Sequence, residues 1–455
     1  MVTRQILYPL LFFCLFVSQG NAQNKKAEGY MGLWYKFGQP YEYGYKFSGG
    51  LATYSSQHNP MALYVGSVKK TFFVYSGTAA PDSSHLQIMI SYYDHRTNKV
   101  PRPVIVFDKM GVNDPQDNAS LSVDSNGYLW VFISGRGRTR PGYIFRSDSP
   151  YSIESFTNIK QGEILFPQAW WLKDSSFLMM HSRVLKGREL FWSTSTDGMT
   201  WSPASKLAGM GGHFQVTNVF GDRLFSVFSY CPGANLDRRT NLYLVYTDDL
   251  GKTWKNIDNK VVNTPLTEIS NGAIIHDYQS EKKLVYIHDL NFDEEGNPVI
   301  LGLVSNNFRP GPENTREWIV ISRKDGNWNF SIVCDMPHNY NLGSIYTSKE
   351  EWRIIGPSDP GPVKYGTGGE VVLWTSTDRG ETWHKTASIT SGSKYNNSYV
   401  RRPFNPAKEF YAFWADGDTE NLSESRIYFT NEKCDKVWVL PYKMKKDLER
   451  PVRIK

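Results

Sequence analysis

The sequence of 455 residues contains only four cysteines. Cys14 belongs to the apolar N-terminal segment, which leaves Cys231, Cys334 and Cys434 in the rest of the chain. Three thiols allow at most one disulfide, and none of them stands in a Cys/His spacing typical of a zinc site. The chain is therefore not a disulfide scaffold. We expect no metal site and no cofactor, although the sequence leaves a structural calcium or zinc ion open.

Long runs of like charge and long apolar runs are also scarce. The formal net charge is +6, and lysine and arginine are scattered among aspartate and glutamate rather than massed in patches. Such a balance excludes the dense basic surface of a nucleic-acid-binding protein. After the N-terminal segment no second apolar run is long enough to span a bilayer, so we expect no membrane insertion.

The first 22 residues are typical of a secretory signal peptide. Arg4 supplies the positive charge, Ile6 to Val17 form a short apolar run, and Ser18 to Ala22 form a polar region of small residues before the cleavage site. The sequence therefore predicts a signal peptide at residues 1–22 and a secreted or periplasmic product. No linker divides residues 23–455, which we interpret as one domain and expect to be a monomer.

The remaining sequence lacks segments with a 3.6-residue apolar period. It has instead 15% aromatic residues with 37 Gly and 24 Pro, and short apolar runs separated by turn signals such as Asp-Gly and Asn-Gly. Short runs of this kind are typical of strands joined by tight turns. The sequence predicts an all-β fold.

One motif repeats along the chain with the pattern Ser/Thr-x-Asp-x-Gly-x-Thr-Trp. It occurs at Thr247–Trp254 and at Ser376–Trp383, and a version shortened by one residue occurs at Ser195–Trp201. This is the Asp-box, a hairpin turn in which the carboxylate caps backbone N–H groups and glycine adopts a positive φ. At about 45 to 60 residues per repeat, the mature chain predicts a seven-bladed β-propeller, with six or eight blades as alternatives.

Polar side chains at strand starts are the candidates for a functional site, because a propeller gathers strand ends around its central channel. His58 precedes the apolar run Met61–Val65, and Gln116 and Asn118 precede the run Ser120–Val123. We expect His58 to project toward the channel. The alternative for this position is a histidine with a purely structural role.

Further candidates follow in later repeats. Arg136 and Arg138 alternate with glycine, so an extended backbone would point both guanidinium groups the same way, as in a clamp for carboxylates. Arg188 opens a strand, His213 precedes another, and Tyr230 ends a strand pair. A solvated arginine loop and a hydrogen-bonded structural histidine are the alternatives for these positions.

Over its whole mature length the chain resembles the secreted bacterial-neuraminidase-repeat proteins of polysaccharide-degrading bacteria. Their relatives include ulvan lyases and enzymes that act on the L-rhamnose-α-1,4-D-glucuronate linkage, with seven-bladed propellers. The resemblance is carried by Lys69–Tyr75, Asp114–Asn118, Ser134–Arg138, Gly187–Leu190, Gly211–Gln215, Arg239–Tyr243 and the Asp-box at Thr247.

The resemblance implies roles for individual residues. Ulvan lyases have histidines where this chain has Gln116 and Arg136, which argues against ulvan cleavage at that position. Arg188 and Tyr230 resemble substrate-binding residues of those lyases. The enzymes of the rhamnose-glucuronate linkage resemble this chain at His58, Arg136 and Arg188, which implies that these three residues are catalytic.

We therefore expect a secreted enzyme that removes terminal L-rhamnose from glucuronate in an acidic polysaccharide. Elimination at C4 of a uronate requires neutralisation of the carboxylate, a base and an acid, and arginines with a histidine suit that chemistry. The expected substrate contacts are Gln116, Asn118, Arg138, His213 and Tyr230. The alternatives are an α-L-rhamnosidase that hydrolyses the same linkage, an ulvan-lyase-like polysaccharide lyase, and a glycan-binding propeller without catalysis.

Overall fold

The computed structural model describes residues 23–80, 85–111, 114–172 and 176–455, so the predicted signal peptide lies outside the described residues. Within these ranges the chain forms 36 β-strands and two 3₁₀ turns, at Pro115–Asp117 and Pro232–Ala234. The all-β prediction is confirmed. In the described part of the chain no helix is long and apolar enough to cross a membrane.

The chain begins with an antiparallel hairpin and continues with three four-stranded sheets. The hairpin consists of β1 (Gly32–Tyr41) and β2 (Gly44–Gly50). The first sheet contains β3 (Ala62–Val65), β4 (Lys70–Gly77), β5 (Gln87–Asp94) and, after the short β6 (Val100–Pro101), β7 (Val104–Asp108). The second contains β8 (Ala119–Val123), β9 (Leu129–Ile133), β10 (Gly142–Ser147) and β11 (Phe156–Gly162). The third contains β12 (Leu165–Leu172), β13 (Ser176–Val184), β14 (Arg188–Ser195) and β15 (Ser205–Ala208).

Four further sheets complete the order. The fourth contains β16 (Gln215–Phe220), β17 (Arg223–Tyr230), β18 (Thr240–Thr247), β19 (Trp254–Lys255), β20 (Val261–Val262) and β21 (Ile274–His276). The fifth contains β22 (Leu284–Phe292), β23 (Pro298–Ser305), β24 (Arg316–Lys324) and β25 (Asn327–Asp335). The sixth contains β26 (Ser344–Tyr346), β27 (Trp352–Asp359), β28 (Glu370–Ser376) and β29 (His384–Ser388). The remaining strands are β30 (Asn396–Arg401), β31 (Ala412–Gly417), β32 (Ser423–Ser425), β33 (Ile427–Thr430), β34 (Val437–Val439), β35 (Leu448–Glu449) and β36 (Val452–Arg453). In the seventh sheet β30, β31, β33, β34 and β36 pair in that order, whereas β32 pairs with β1 and β35 with β6.

Each sheet is antiparallel, and its first strand lies at one edge. These edge strands pack side by side in chain order, from β3 and β8 through β12, β16 and β22 to β26, and β27 contacts β30. After β30 the chain returns to the first sheet. There the Phe404 carbonyl accepts a hydrogen bond from the Tyr64 N–H at 3.0 Å, and the Phe404 N–H donates to the Ala62 carbonyl at 2.8 Å. The order of sheets therefore closes on itself.

Polar side chains bridge sheets that are not neighbours. Asn59, just before β3, donates from Nδ2 to the Thr217 carbonyl of the fourth sheet at 2.8 Å. Arg402, just after β30, donates to both carboxylate oxygens of Asp289 in the fifth sheet at 3.0 and 3.1 Å. Asp289 also accepts from the Ile345 N–H in the sixth sheet. These bonds fix the positions of strand starts that lie far apart in the sequence.

Apolar side chains fill the spaces between neighbouring sheets. Trp130 and Phe132 of the second sheet pack with Phe177 and Met179 of the third, beneath the Asp-box residue Trp201. Fully burying one such large side chain contributes about 1.5–3 kcal/mol. Since every sheet covers the next, the core is distributed around the whole molecule.

The three cysteines in the described residues are free thiols. Cys231 and Cys434 are buried, and Cys334 is half-buried. Burial raises the pKa of Cys231 to about 11 and those of Cys334 and Cys434 to about 12.

The Asp-boxes form the hairpin turns expected from their sequence. In the second copy Asp378 accepts hydrogen bonds from the Ser376 hydroxyl at 2.7 Å and from the Thr382 and Glu381 N–H groups at 3.0 and 3.1 Å. Gly380 has a φ of 83°, and a Cβ at this position would lie 2.7 Å from the Trp352 ring. The turn therefore requires both the carboxylate and the glycine.

We predict that Asp378→Ala lowers the free energy of unfolding by about 1 kcal/mol, because the hydrogen bonds that the carboxylate accepts in the turn are lost. The loss is small since the turn is partly exposed to solvent. Partial burial opposes ionisation, but the hydrogen bonds outweigh it and lower the pKa of Asp378 to about 2. The carboxylate thus stabilises the fold above its ordinary pKa of about 3.9, and this stabilisation is lost as pH falls toward 2. Urea unfolding at neutral and acidic pH measures both effects. Asp335→Ala, at an exposed strand end, is the control, and equal losses in the two variants would contradict the prediction.

Candidate functional site

A cavity opens to solvent where the first strands of the sheets begin, and the space inside it together with its open mouth amounts to about 600 Å³. Its wall combines segments that are far apart in sequence but converge because each enters its sheet at the same end. The lining residues are Lys46, Phe47, Tyr54, Ser55, Ser56, Gln57, Gln116, Phe166, Arg188, Phe214, Leu236, Asp237, Arg239, Tyr286, Ile287, His288, Asn339, Tyr340 and Leu342. The cavity is thus basic and aromatic, and Asp237 is the one carboxylate in this lining.

Arg188 lies at the start of β14 with 4% of its surface exposed. Its Nη2 donates to Gln116 Oε1 at 2.8 Å, and its guanidinium lies 5.2 and 4.9 Å from the ring centres of Phe166 and Phe214. Burial, together with the charges of Arg136 and Arg239, lowers the pKa of Arg188 to about 10, so the group stays charged at neutral pH. In the described residues no carboxylate forms an ion pair with it.

Arg239 also contacts the Phe214 ring, with its guanidinium 3.7 Å from the ring centre. Its Nη2 donates to the Tyr340 hydroxyl at 2.6 Å and its Nε donates to the Leu236 carbonyl at 3.1 Å. Burial opposes its charge, but the neighbouring Tyr340 and Tyr286 outweigh burial and raise the pKa of Arg239. The cavity therefore holds two guanidinium groups that contact the same aromatic ring.

Tyrosines supply hydroxyl groups to the same wall. Burial raises the pKa values of Tyr54, Tyr286 and Tyr340, so all three keep their protons at neutral pH. The Tyr340 hydroxyl accepts from Arg239 and still carries its own proton. A neutral donor therefore lies beside a positive charge.

His288 interrupts the pairing of β22, where Ile287 pairs with Gly302 and Asp289 with Leu301. This β-bulge turns the imidazole into the cavity wall, where 3% of the residue is exposed. Neither Nδ1 nor Nε2 has a hydrogen-bond partner among the described residues. Burial lowers the pKa of His288 to about 3, so the ring is neutral at ordinary pH.

Lys46 enters the cavity from the β1–β2 hairpin, whose strands contact β30 and β31 of the seventh sheet. Its ammonium group forms an ion pair with Asp237. The hairpin is held further by stacking of Phe47 on Tyr340, with ring centres 5.2 Å apart, and by His338, whose Nε2 donates to the Tyr45 carbonyl at 3.3 Å. One side of the cavity is therefore formed by a segment outside the seven sheets.

Of the predicted site residues, Arg188 and Gln116 lie together in the cavity. His58 is not part of the cavity lining: its ring is fully buried, 5.2 Å from the ring centre of the lining residue Phe166. The Ser55 N–H donates to His58 Nδ1 at 3.1 Å, and Nε2 donates to the Gln116 carbonyl at 3.1 Å. This geometry favours the structural alternative, and the catalytic role of His58 stays a prediction.

The other predicted residues lie outside the cavity lining. Arg136 pairs with Asp114 at 3.3 Å, and the Arg138 side chain is 89% exposed and pairs with Glu163. The expected clamp does not form, since the two arginines have different partners. Asn118 is fully buried, and its Nδ2 donates to two backbone carbonyls, which leaves no donor for a ligand.

His213 and Tyr230 also remain buried beside the cavity rather than in its lining. His213 donates from Nδ1 to the Ser229 carbonyl at 2.9 Å, and its ring centre lies 6.5 Å from that of Tyr230. The structure adds instead Lys46, Arg239, His288 and Tyr340. Three of these four stand in strand-edge clusters of polar residues, but the sequence alone does not show which members face inward.

Comparison with known proteins identifies the family of the chain. The sequence profile of BNR repeat-containing family members matches residues 70–335, more than half of the chain. The chain belongs to the BNR repeat-containing family. No curated protein matches it in sequence.

Solved structures share the fold of this BNR repeat-containing chain at low sequence identity. A polysaccharide lyase described as an ulvan lyase of a new family superposes with a TM-score of 0.70 and 14% identity, covering 90% of this chain and 96% of the lyase. The polysaccharide lyase Uly1 superposes with a TM-score of 0.60 and 12% identity, covering 90% and 98%. The BP39L lectin from Burkholderia pseudomallei superposes with a TM-score of 0.52 and 10% identity, covering 86% and 97%. The shared fold therefore includes both enzymes and a lectin.

In the described residues of this BNR repeat-containing chain, no group of three or more His, Cys, Asp or Glu side chains is arranged to hold a metal ion. The lining of the candidate site consists mainly of cationic, aromatic and imidazole groups.

We predict that His58→Ala destabilises the protein by about 3 kcal/mol, because it leaves a cavity and two unpaired backbone groups. Urea unfolding measures the loss. A variant that keeps wild-type stability but loses activity would instead support the catalytic role of His58.

A second prediction concerns the charge of Lys46. Burial and the nearby charge of Arg239 lower the pKa of Lys46 to about 8, so the side chain is charged below pH 8 and neutral above it. Any binding of an anionic oligosaccharide in this cavity should therefore weaken as pH rises through 8. Calorimetric titration across this range measures the effect, which Lys46→Met should remove and the exposed control Lys349→Met should keep. An unchanged pH dependence in Lys46→Met would contradict the assignment.

Proposed function

We propose that this protein is a secreted or periplasmic seven-bladed β-propeller that cleaves the terminal L-rhamnose-α-1,4-D-glucuronate linkage of acidic polysaccharides by β-elimination. The observation that carries the proposal is the pair of guanidinium groups of Arg188 and Arg239. They lie in one aromatic cavity without an ion-paired carboxylate among the described residues. A cavity of this kind suits an anionic sugar.

The propeller is supported by the order of the sheets. Seven antiparallel sheets follow one another in the described residues, their first strands are neighbours, and the chain after β30 pairs with the first sheet. Neighbouring blades packed around a central axis explain this arrangement, since closure leaves no large open sheet face.

Elimination uses the groups that the cavity contains. A base removes the C5 proton of the uronate, the C5–H electrons form the C4–C5 double bond, and the C4–O bond breaks. The leaving oxygen takes a proton from an acid, so no water is consumed. Arginines that neutralise the uronate carboxylate acidify the C5 proton, because negative charge builds up beside that carboxylate in the transition state.

Hydrolysis of the same linkage would use a pair of carboxyl groups in most glycoside hydrolases. The cavity lining contains the single carboxylate of Asp237, which is already paired with Lys46. The proposal therefore favours elimination over hydrolysis.

The nature of the sugar is supported by a relative with the same fold. The ulvan lyase superposed on this chain has also been solved with a bound -[GlcA(1-4)Rha3S]- oligosaccharide, at a TM-score of 0.70. Glucuronate and rhamnose are the two sugars of the proposed linkage. The resemblance of Arg188 and its neighbours to enzymes of the rhamnose-glucuronate linkage supports the terminal rhamnose.

We predict that incubation with a rhamnose-capped glucuronan such as gum arabic releases rhamnose and gives an unsaturated uronate. Chromatography detects the sugar, and ultraviolet absorbance detects the double bond. Release without absorbance would replace elimination by hydrolysis. Binding without release would identify a glycan-binding protein.

Replacement of one arginine tests whether the pair of guanidinium groups is required for cleavage. Arg188→Ala should lower kcat/KM by at least about 100-fold, because a preorganised charge on the reacting group is lost. Arg96→Ala, on an exposed side chain outside the cavity lining, is the matched control and should retain activity. Equal activity of the two variants would contradict the proposed site.

A further inference from the structure

The cavity contains one group whose position the fold does not explain. Buried polar atoms are normally hydrogen-bonded, and leaving one unpaired costs about 1–3 kcal/mol. His288 is 3% exposed and has two unpaired ring nitrogens in the described structure. The histidines at 58 and 338 each use both nitrogens in hydrogen bonds. His213 leaves only Nε2 unpaired, so His288 differs from these three buried histidines in having no partner for either nitrogen among the described residues.

The backbone contributes to this arrangement. His288 is the extra residue of a bulge in the first strand of the fifth sheet, whereas its neighbours Ile287 and Asp289 pair regularly with β23. Asp289 next to it is fixed by Arg402 and by the Ile345 N–H. The bulge therefore rests on a rigid support, and bulges of this kind often direct a side chain into a site.

The Tyr340 hydroxyl is a proton donor in the same cavity. The Tyr340 hydroxyl lies in the same cavity wall, accepts from Arg239 at 2.6 Å and retains its own proton for donation. Burial affects the two groups in opposite directions, since it lowers the pKa of His288 and raises that of Tyr340. At neutral pH the imidazole is thus an unprotonated acceptor and the phenol a protonated donor. Titratable groups whose environments separate them in this way are suited to be base and acid.

We propose that His288 is the base that removes the C5 proton of the uronate and that Tyr340 is the acid that protonates the leaving oxygen. This inference rests on the proposed elimination and assigns its proton transfers to residues. The imidazole lone pair takes the C5 proton, the C5–H electron pair forms the double bond, and the C4–O bond breaks toward the Tyr340 proton. His288 gains one proton and Tyr340 loses one, and exchange with solvent restores both.

Binding of the substrate raises the proton affinity of the deeply buried His288 imidazole. Burial is what holds the proton affinity of His288 down, and an anionic sugar beside the ring stabilises the protonated form. The bound uronate thus strengthens the base at the step that requires it.

The decisive variant is His288→Leu, which removes the imidazole and its unpaired nitrogens while keeping an apolar side chain. We expect kcat/KM on the rhamnose-capped glucuronan to fall at least about 100-fold, the usual contribution of a general base. The melting temperature should stay unchanged or rise, because an unsatisfied buried polar group has been removed. A structural histidine would give the opposite result, a lower melting temperature. The control is His181→Leu, a buried histidine of the third sheet outside the cavity, which should retain activity.

Tyr340→Phe tests the acid separately. Its ring still packs on Phe47 and Tyr286, so we expect KM to change little and kcat to fall at least about 100-fold. A substrate with a good leaving group at C4 should recover most of the activity of this variant, but not that of His288→Leu. Without that difference the assignment of acid and base is wrong.

Different results contradict the elimination and the assignment of His288 as its base. An unsaturated product from the wild type together with an active His288→Leu variant overturns only the base assignment. No unsaturated product from the wild type overturns the elimination and this inference with it.

Discussion

The hydrogen bonds between Phe404 and the first sheet close the order of seven sheets, and the position of every strand start depends on that closure. A sheet in this protein has two apolar faces and cannot bury both alone. Closure gives each sheet a neighbour on both faces. The bridges from Asn59 to Thr217 and from Arg402 to Asp289 then hold opposite strand starts at fixed distances. The cavity can therefore be assembled from loops that share no local structure.

Two positive charges in such a cavity would be costly if they lost hydration without replacement. Arg188 and Arg239 replace water with aromatic faces and with hydrogen bonds to Gln116, Tyr340 and the Leu236 carbonyl. These contacts are weaker than an ion pair, so the field of both charges remains available inside the cavity. By contrast, Arg140 is paired with Asp114 and Asp117 in a separate buried cluster. The protein thus separates arginines that stabilise its fold from arginines that can act on a ligand.

The sequence predicted the parts of this structure that depend on local patterns. The Asp-box at Ser376–Trp383 has the turn that its residues require, and Arg188 lines the candidate cavity, whereas its catalytic role stays a prediction. His58 could not be placed in this way, because a three-residue turn folds its ring back onto the Ser55 N–H.

The sequence does not single out Arg239 and His288 from the other polar residues at strand edges, for related reasons. The partner of Arg239 is Tyr340, 101 residues further along the chain, and no local pattern reports such a pairing. His288 faces the cavity only because a bulge changes the alternation of its strand, and a regular strand pattern does not include that change. Contacts between distant sheets and irregular backbone therefore decide the site.

The free cysteines have a consequence for how the chain reaches its native state. Only a thiolate attacks a disulfide or a metal, and burial keeps all three thiols protonated in the folded protein. No covalent cross-link has to be formed or rearranged among the described residues. Reaching the native arrangement of these residues therefore requires no oxidant, and the thiols resist oxidation once the protein is folded.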